Sequence, residues 1–139
     1  MNRETAVKLI VRLIVWTQEE KIQWKRLRYD PSVQYQLRDI PYGGIIYNVL
    51  VGDCHFRLYQ IKQSGSYSGE TYGSQEMMQS DPDYLFKIAL DVIDADGDLE
   101  YAFEPIYAMV GLFDTVREHC APSLKKIETL LADELPHVT

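Results

Sequence analysis

The sequence predicts an α+β fold: an N-terminal helix, an antiparallel β-sheet of four to five strands built from two hairpins, and two C-terminal helices. Three observations carry that expectation. Apolar residues recur at three- and four-residue spacing near both ends of the chain, they alternate with polar residues between, and each alternating stretch is split by a turn signal, Gly52-Asp53 or Asp96-Gly97. Helices that flank a run of strands are expected to gather on one face of the sheet. The 139 residues suit a single domain over 1–139, and 46% hydrophobic with 25% charged residues are globular values.

Asn2 can cap a helix over about 3 to 20, in which Ala6, Leu9, Ile10, Leu13 and Trp16 share a face. Val7, Val11, Ile14 and Val15 widen that apolar stripe, which predicts a helix central to the core or shared with a second copy of the chain. Ile22 and Trp24 alternate with polar neighbours, as in a short strand or an extended entry to the sheet, and 28–44, with two prolines and a Gly pair, reads as loop.

In the first hairpin the Gly52-Asp53 turn sets Val51 opposite Cys54, Val49 opposite Phe56 and Tyr47 opposite Leu58. In the second, a two-residue turn at Asp96-Gly97 sets Val92 opposite Tyr101 and Leu90 opposite Phe103, with Ile88 and Phe86 on the same apolar face. Met109, Leu112, Phe113 and Val116 then mark a helix ending near Cys120, with Gly111 leaving its start open. Pro122 opens the last helix, whose stripe is Leu124, Ile127, Leu131 and Leu135.

A formal charge of −7 argues against nucleic-acid and anionic-membrane partners, and Lys21, Lys25, Arg26 and Arg28 read as a solvated basic face. The apolar run 6–16 is too short to span a bilayer and is interrupted by Lys8 and Arg12. Two cysteines, Cys54 and Cys120, do not make a disulfide framework, and the expected compartment is cytoplasmic.

No motif calls for a metal or cofactor. Around Asp94, Asp96, Gly97, Asp98 and Glu104, placing Gly97 at the sixth position of a calcium loop puts Val92 and Phe103 where carboxylates are needed, so a hairpin turn is expected, with a weak surface calcium site as the alternative. Cys54-His55 and His119-Cys120 offer zinc-type ligands, but strand neighbours point to opposite faces and helix neighbours diverge by about 100°. Gly65, Gly69 and Gly73 lack the Gly-Lys-Ser/Thr of a phosphate loop, and Tyr67 occupies the nucleophile's place in "GSYSG".

The unusual features are ten tyrosines and a long loop at 63–83. Tyr47 and Tyr101 fall on the apolar faces derived above, whereas Tyr29, Tyr35, Tyr42, Tyr67 and Tyr72 fall in loops. Loops of that length commonly bind, and rigid tyrosines among small residues suit contact with a ligand or partner. The candidate binding residues are therefore Tyr67, Ser68, Glu70, Tyr72 and Tyr42, with no catalytic or metal-binding residue assigned.

The chain resembles a loosely defined group of small uncharacterised bacterial and phage proteins, through "TQEEKIQW", "HFRLYQI", "IDADGDLEY" and "LFDTVREH" across about residues 5 to 120. The resemblance implies an α+β fold and no established activity. The chain departs from that pattern where a glycine is expected near Glu20, and most of all at 63–83. The expected function is non-enzymatic interaction or ligand binding by a homodimer, in bacterial defence, counter-defence or toxin neutralisation, with a protein or small-molecule partner. The alternative is a small hydrolase or nucleotide-processing enzyme using His55, Asp53 or Glu70.

Overall fold

Asn2 opens the first helix as the spacing predicts: its Oδ1 accepts a hydrogen bond from the Thr5 amide at 2.8 Å, which satisfies one of the amides that a helix start leaves unpaired. The computed structural model describes residues 1–62 and 86–132. Helix α1 covers Arg3–Gln18 and buries Ala6, Ile10, Leu13 and Thr17. It ends two residues earlier than expected because Glu20 takes the left-handed conformation, φ 58°, where glycine would be free of strain. The Lys21 amide then donates to the Trp16 carbonyl at 2.8 Å and closes the helix end. Beyond it, the Trp24 indole donates to Thr17 Oγ1 at 2.9 Å, and the Thr17 hydroxyl donates to the Leu13 carbonyl at 2.6 Å. A buried threonine thus ties the helix to the start of the sheet.

Five antiparallel strands follow, β1 (Lys25–Arg28), β2 (Pro41–Val51), β3 (Cys54–Lys62), β4 (Phe86–Ile93) and β5 (Leu99–Ala102). Their order in the sheet is their order in the chain. The first hairpin has the expected register, Val51 against Cys54, Val49 against Phe56 and Tyr47 against Leu58, with Gly52 at φ +60° in the turn. The second pairs Val92 with Tyr101 but Ile93 with Leu99. Its turn is wider than the two residues expected because Asp94 Oδ1 accepts from the amides of both Asp96 and Asp98, each at 2.9 Å. The stretch 28–44 is not all loop: Pro41 already pairs with Ile61, and the register shifts before Ile46. Gly43 and Gly44 lie in that irregularity, at φ +72° and +71°.

Helix α2 spans Ala108–His119 and helix α3 spans Pro122–Ala132. Gly111 does not delay α2. It sits inside the helix, where an added Cβ would meet Ile14 of α1 at 3.7 Å, an ordinary contact distance. The inner face of the sheet, Tyr47, Val49, Phe56, Leu58, Ile88, Leu90 and Phe103, packs with Ile10 and Leu13 of α1 and Met109, Leu112 and Val116 of α2. Alternation in the strands and helical periodicity meet in one apolar layer.

Three expectations are corrected here. Tyr101 is 38% exposed, because β5 is a short strand at the edge of the sheet, and the buried aromatic there is Phe103, just beyond its end. Ile127 and Leu131 of α3 are 51% and 77% exposed, so that part of the stripe is not core; the inner face is already occupied by α1 and α2. Val11 and Val15 also face solvent, so α1 is central to the core only along its Ala6, Ile10 and Leu13 side. Among the described residues no helix is long and apolar enough to cross a membrane.

A cleft and a charged network on the outer face of the sheet

The alternation that sends Phe56 and Leu58 inward sends His55, Arg57, Tyr59 and Ile61 to the other face. Strand pairing sets Arg57 between Asn48 of β2 and Asp91 of β4. Arg57 and Asp91 are both almost fully buried, with side-chain exposures of 3% and 1%. They are shielded by the segment 29–40, whose Tyr29, Tyr35 and Leu37 pack on a second apolar cluster of Ile46, Tyr59, Ile61 and Ala89.

Directed bonds hold this cover in place. Arg57 Nη2 donates to Asp91 Oδ2 at 3.1 Å and to the Gln36 carbonyl at 2.9 Å. Tyr59 donates its hydroxyl proton to Asp91 Oδ2 at 3.2 Å and accepts from the Arg38 amide at 3.0 Å. The Arg38 guanidinium lies 3.8 Å from Asp91 Oδ1 and donates to the Phe103 carbonyl. Gln36 Oε1 accepts from the Leu99 amide at 2.6 Å, which ties the cover to β5. Burial, reinforced by the Asp91 carboxylate, pushes the Tyr59 phenol up to about 12, against the lowering effects of the Arg38 amide and the Arg57 guanidinium.

Beside the network opens a cleft of about 310 Å³, floored by Ile46, Asn48, Arg57 and Ile93 and rimmed by His55, Tyr35 and the β4–β5 turn. Two enclosed atoms of residues in its lining have no hydrogen-bond partner, Nε of Arg57 and Oδ1 of Asn48. They belong to residues directly opposite one another on β3 and β2. At the rim, carboxylate oxygens of Asp94, Asp96 and Asp98 lie within 4.8 Å of one another. The two orphaned atoms are a donor and an acceptor on facing residues, which a small side-chain rotation brings together.

The residues expected from the sequence are distributed differently. Tyr67, Ser68, Glu70 and Tyr72 lie outside the described residues. Tyr42 lies on β2 rather than in a loop, 52% exposed and away from the cleft lining. Tyr29 and Tyr35 pack over the sheet with ring centroids 5.3 Å apart. His55 reaches the cleft, whereas Asp53 sits on the exposed β2–β3 turn and Cys54 is exposed. Cys120 contacts the Trp24 carbonyl through its sulfur at 3.6 Å. The sequence reading passed over Asn48, Arg57, Tyr59 and Asp91. The available signal was the charge of Arg57 and Asp91 inside the otherwise apolar strands "HFRLYQI" and "IALDVI".

Comparison of the chain with protein-family models, curated proteins and solved structures finds no match. The cleft is therefore read from its own chemistry.

Proposed function

We propose that this protein is a non-enzymatic binding module that holds a small polar ligand in the outer-face cleft. The observation that carries this reading is a preformed concavity of about 310 Å³ whose lining brings together Asn48, His55, Arg57 and the aspartates of the β4–β5 turn. His55 lines the cleft while Asp53 lies on the exposed β2–β3 turn outside the lining, so these two side chains of the hydrolase alternative do not share one pocket, which favours the binding reading. Native mass spectrometry of gently purified protein tests the reading. A small-molecule mass retained by the wild type and lost in Asn48→Leu is expected; a ligand-free spectrum, with no thermal stabilisation by any compound of a small polar library, overturns it.

The same reading includes a homodimer formed through α1. Val11 and Val15 are 49% and 40% exposed, and with Val7 and Trp16 they line an open apolar groove, a type of surface that marks association. Light scattering should show a dimer that Val11→Ser with Val15→Ser converts to a folded monomer; a monomeric wild type removes this part. A cytoplasmic setting draws its support from the cysteine content, two residues being too few for a disulfide framework. A role in defence, counter-defence or toxin neutralisation, where an acidic module caps a basic target, draws its support from the three-aspartate rim.

A further inference from the structure

We propose that the occupant of the α1 groove is helix α3 of a second copy of the chain, and that two copies exchange this contact about a two-fold axis. The inference rests on the homodimer reading above and names the partner element.

The groove sets the shape required. Val7, Val11 and Val15 form one row at four-residue spacing along α1, Lys8, Arg12 and Trp16 form the next, and the open channel runs between them. The Arg12 guanidinium lies 5.9 Å from the centre of the Trp16 ring, so this second wall is apolar along its stems and cationic at its edge. A channel between two such rows accepts a third row of the same spacing from another helix. That is the commonest way helices pack in globular proteins, with axes crossing at about 50°.

Helix α3 carries such a row. Ile127 and Leu131 stand four residues apart with Leu130 beside them, and they are 51%, 77% and 52% exposed. Residues 126–132 are exposed throughout, so this face does not lie on the groove of its own chain. Charge agrees with shape: the groove wall carries Lys8 and Arg12, and Glu128, about 100° around the helix from Ile127, borders the α3 row. One crossing of two helices supplies only part of the roughly 1,200–2,000 Å² of a stable interface. A two-fold pair makes the crossing twice, using both grooves and both α3 rows and leaving neither open.

Light scattering of the full chain over a concentration series, joined to cysteine pairing, provides the test. The wild type should dimerise, and Ile127→Ser with Leu131→Ser should weaken the dimer at least about tenfold while keeping the wild-type circular dichroism. In a Cys54→Ser background, which removes the exposed thiol, a mixture of the Val11→Cys and Leu131→Cys variants should form an intersubunit disulfide with glutathione disulfide as oxidant. Neither variant alone should do so. Linkage of the Val11→Cys variant to itself overturns the inference in favour of an α1–α1 contact and leaves the homodimer reading standing. A double-serine variant that dimerises like the wild type does the same. Where that variant loses helix content the cysteine pairing decides, and absence of the mixed disulfide in a dimeric protein overturns the inference. A wild type that is monomeric at every concentration removes both.

Discussion

The two faces of the sheet are held by different physics. The inner face is a layer of side chains such as Val49, Phe56, Leu58 and Leu90 against α1 and α2, and its stabilisation follows buried area, without preferred direction. The outer face buries a guanidinium, a carboxylate and a phenol under the segment 29–40, and there each contact depends on a named partner at hydrogen-bond distance. A face held by volume tolerates exchange of one hydrocarbon shape for another. A face held by paired charge tolerates the loss of both partners better than the loss of one.

The largest test of this contrast is Arg57→Met, which leaves Asp91 charged and buried without its 3.1 Å partner. It should cost about 3–5 kcal/mol in urea unfolding, and adding Asp91→Leu should restore much of the loss. A single variant with the wild-type midpoint breaks the comparison. Next comes pH. Folded Tyr59 keeps its proton to about 12, whereas the unfolded phenol releases it near 10.0. Its contribution is therefore intact below pH 10 and is lost as pH rises toward 12, by up to about 3 kcal/mol. The difference between wild type and Tyr59→Phe across that window isolates the effect, and parallel stability curves deny it. The smallest effect belongs to the inner face: Leu58→Met should cost under about 1.5 kcal/mol. It should cost less than Arg57→Lys, which replaces the planar donor fork with a point charge. The reverse ranking by chemical denaturation ends the distinction drawn between the faces.

The inner face was legible because its information is local. Gly52-Asp53 sets one turn, alternation sets the side-chain faces, and the pairing of Tyr47 with Leu58 follows. The Asn2 cap, the end of α2 near Cys120 and the start of α3 at Pro122 were read in the same way, from spacing and breakers. The second turn was only half legible, since the Asp94 side chain competes for the backbone amides and widens it. The cleft was not legible as a site. Arg57 and Asp91 stood out as charges in apolar strands, but they lie 34 residues apart, on strands whose pairing no short turn dictates. The cover from 29 to 40 looked like ordinary loop because nothing in its spacing shows that Gln36 and Arg38 reach across the sheet.

The width of the α1 stripe was likewise written in the sequence, while the side left open was not: only packing shows that Ile10 and Leu13 turn inward and Val11 and Val15 outward. The sequence by itself determined the element order, the register within the first hairpin and the apolar face of each strand, because dihedral preference and side-chain period act between near neighbours. Tertiary structure alone decided which charges are buried together, which loop covers them and that Asn48 Oδ1 and Arg57 Nε are left without partners. The physical reason is that the free energy of a buried polar group is set by the partner placed beside it, and here that partner comes from a distant part of the chain.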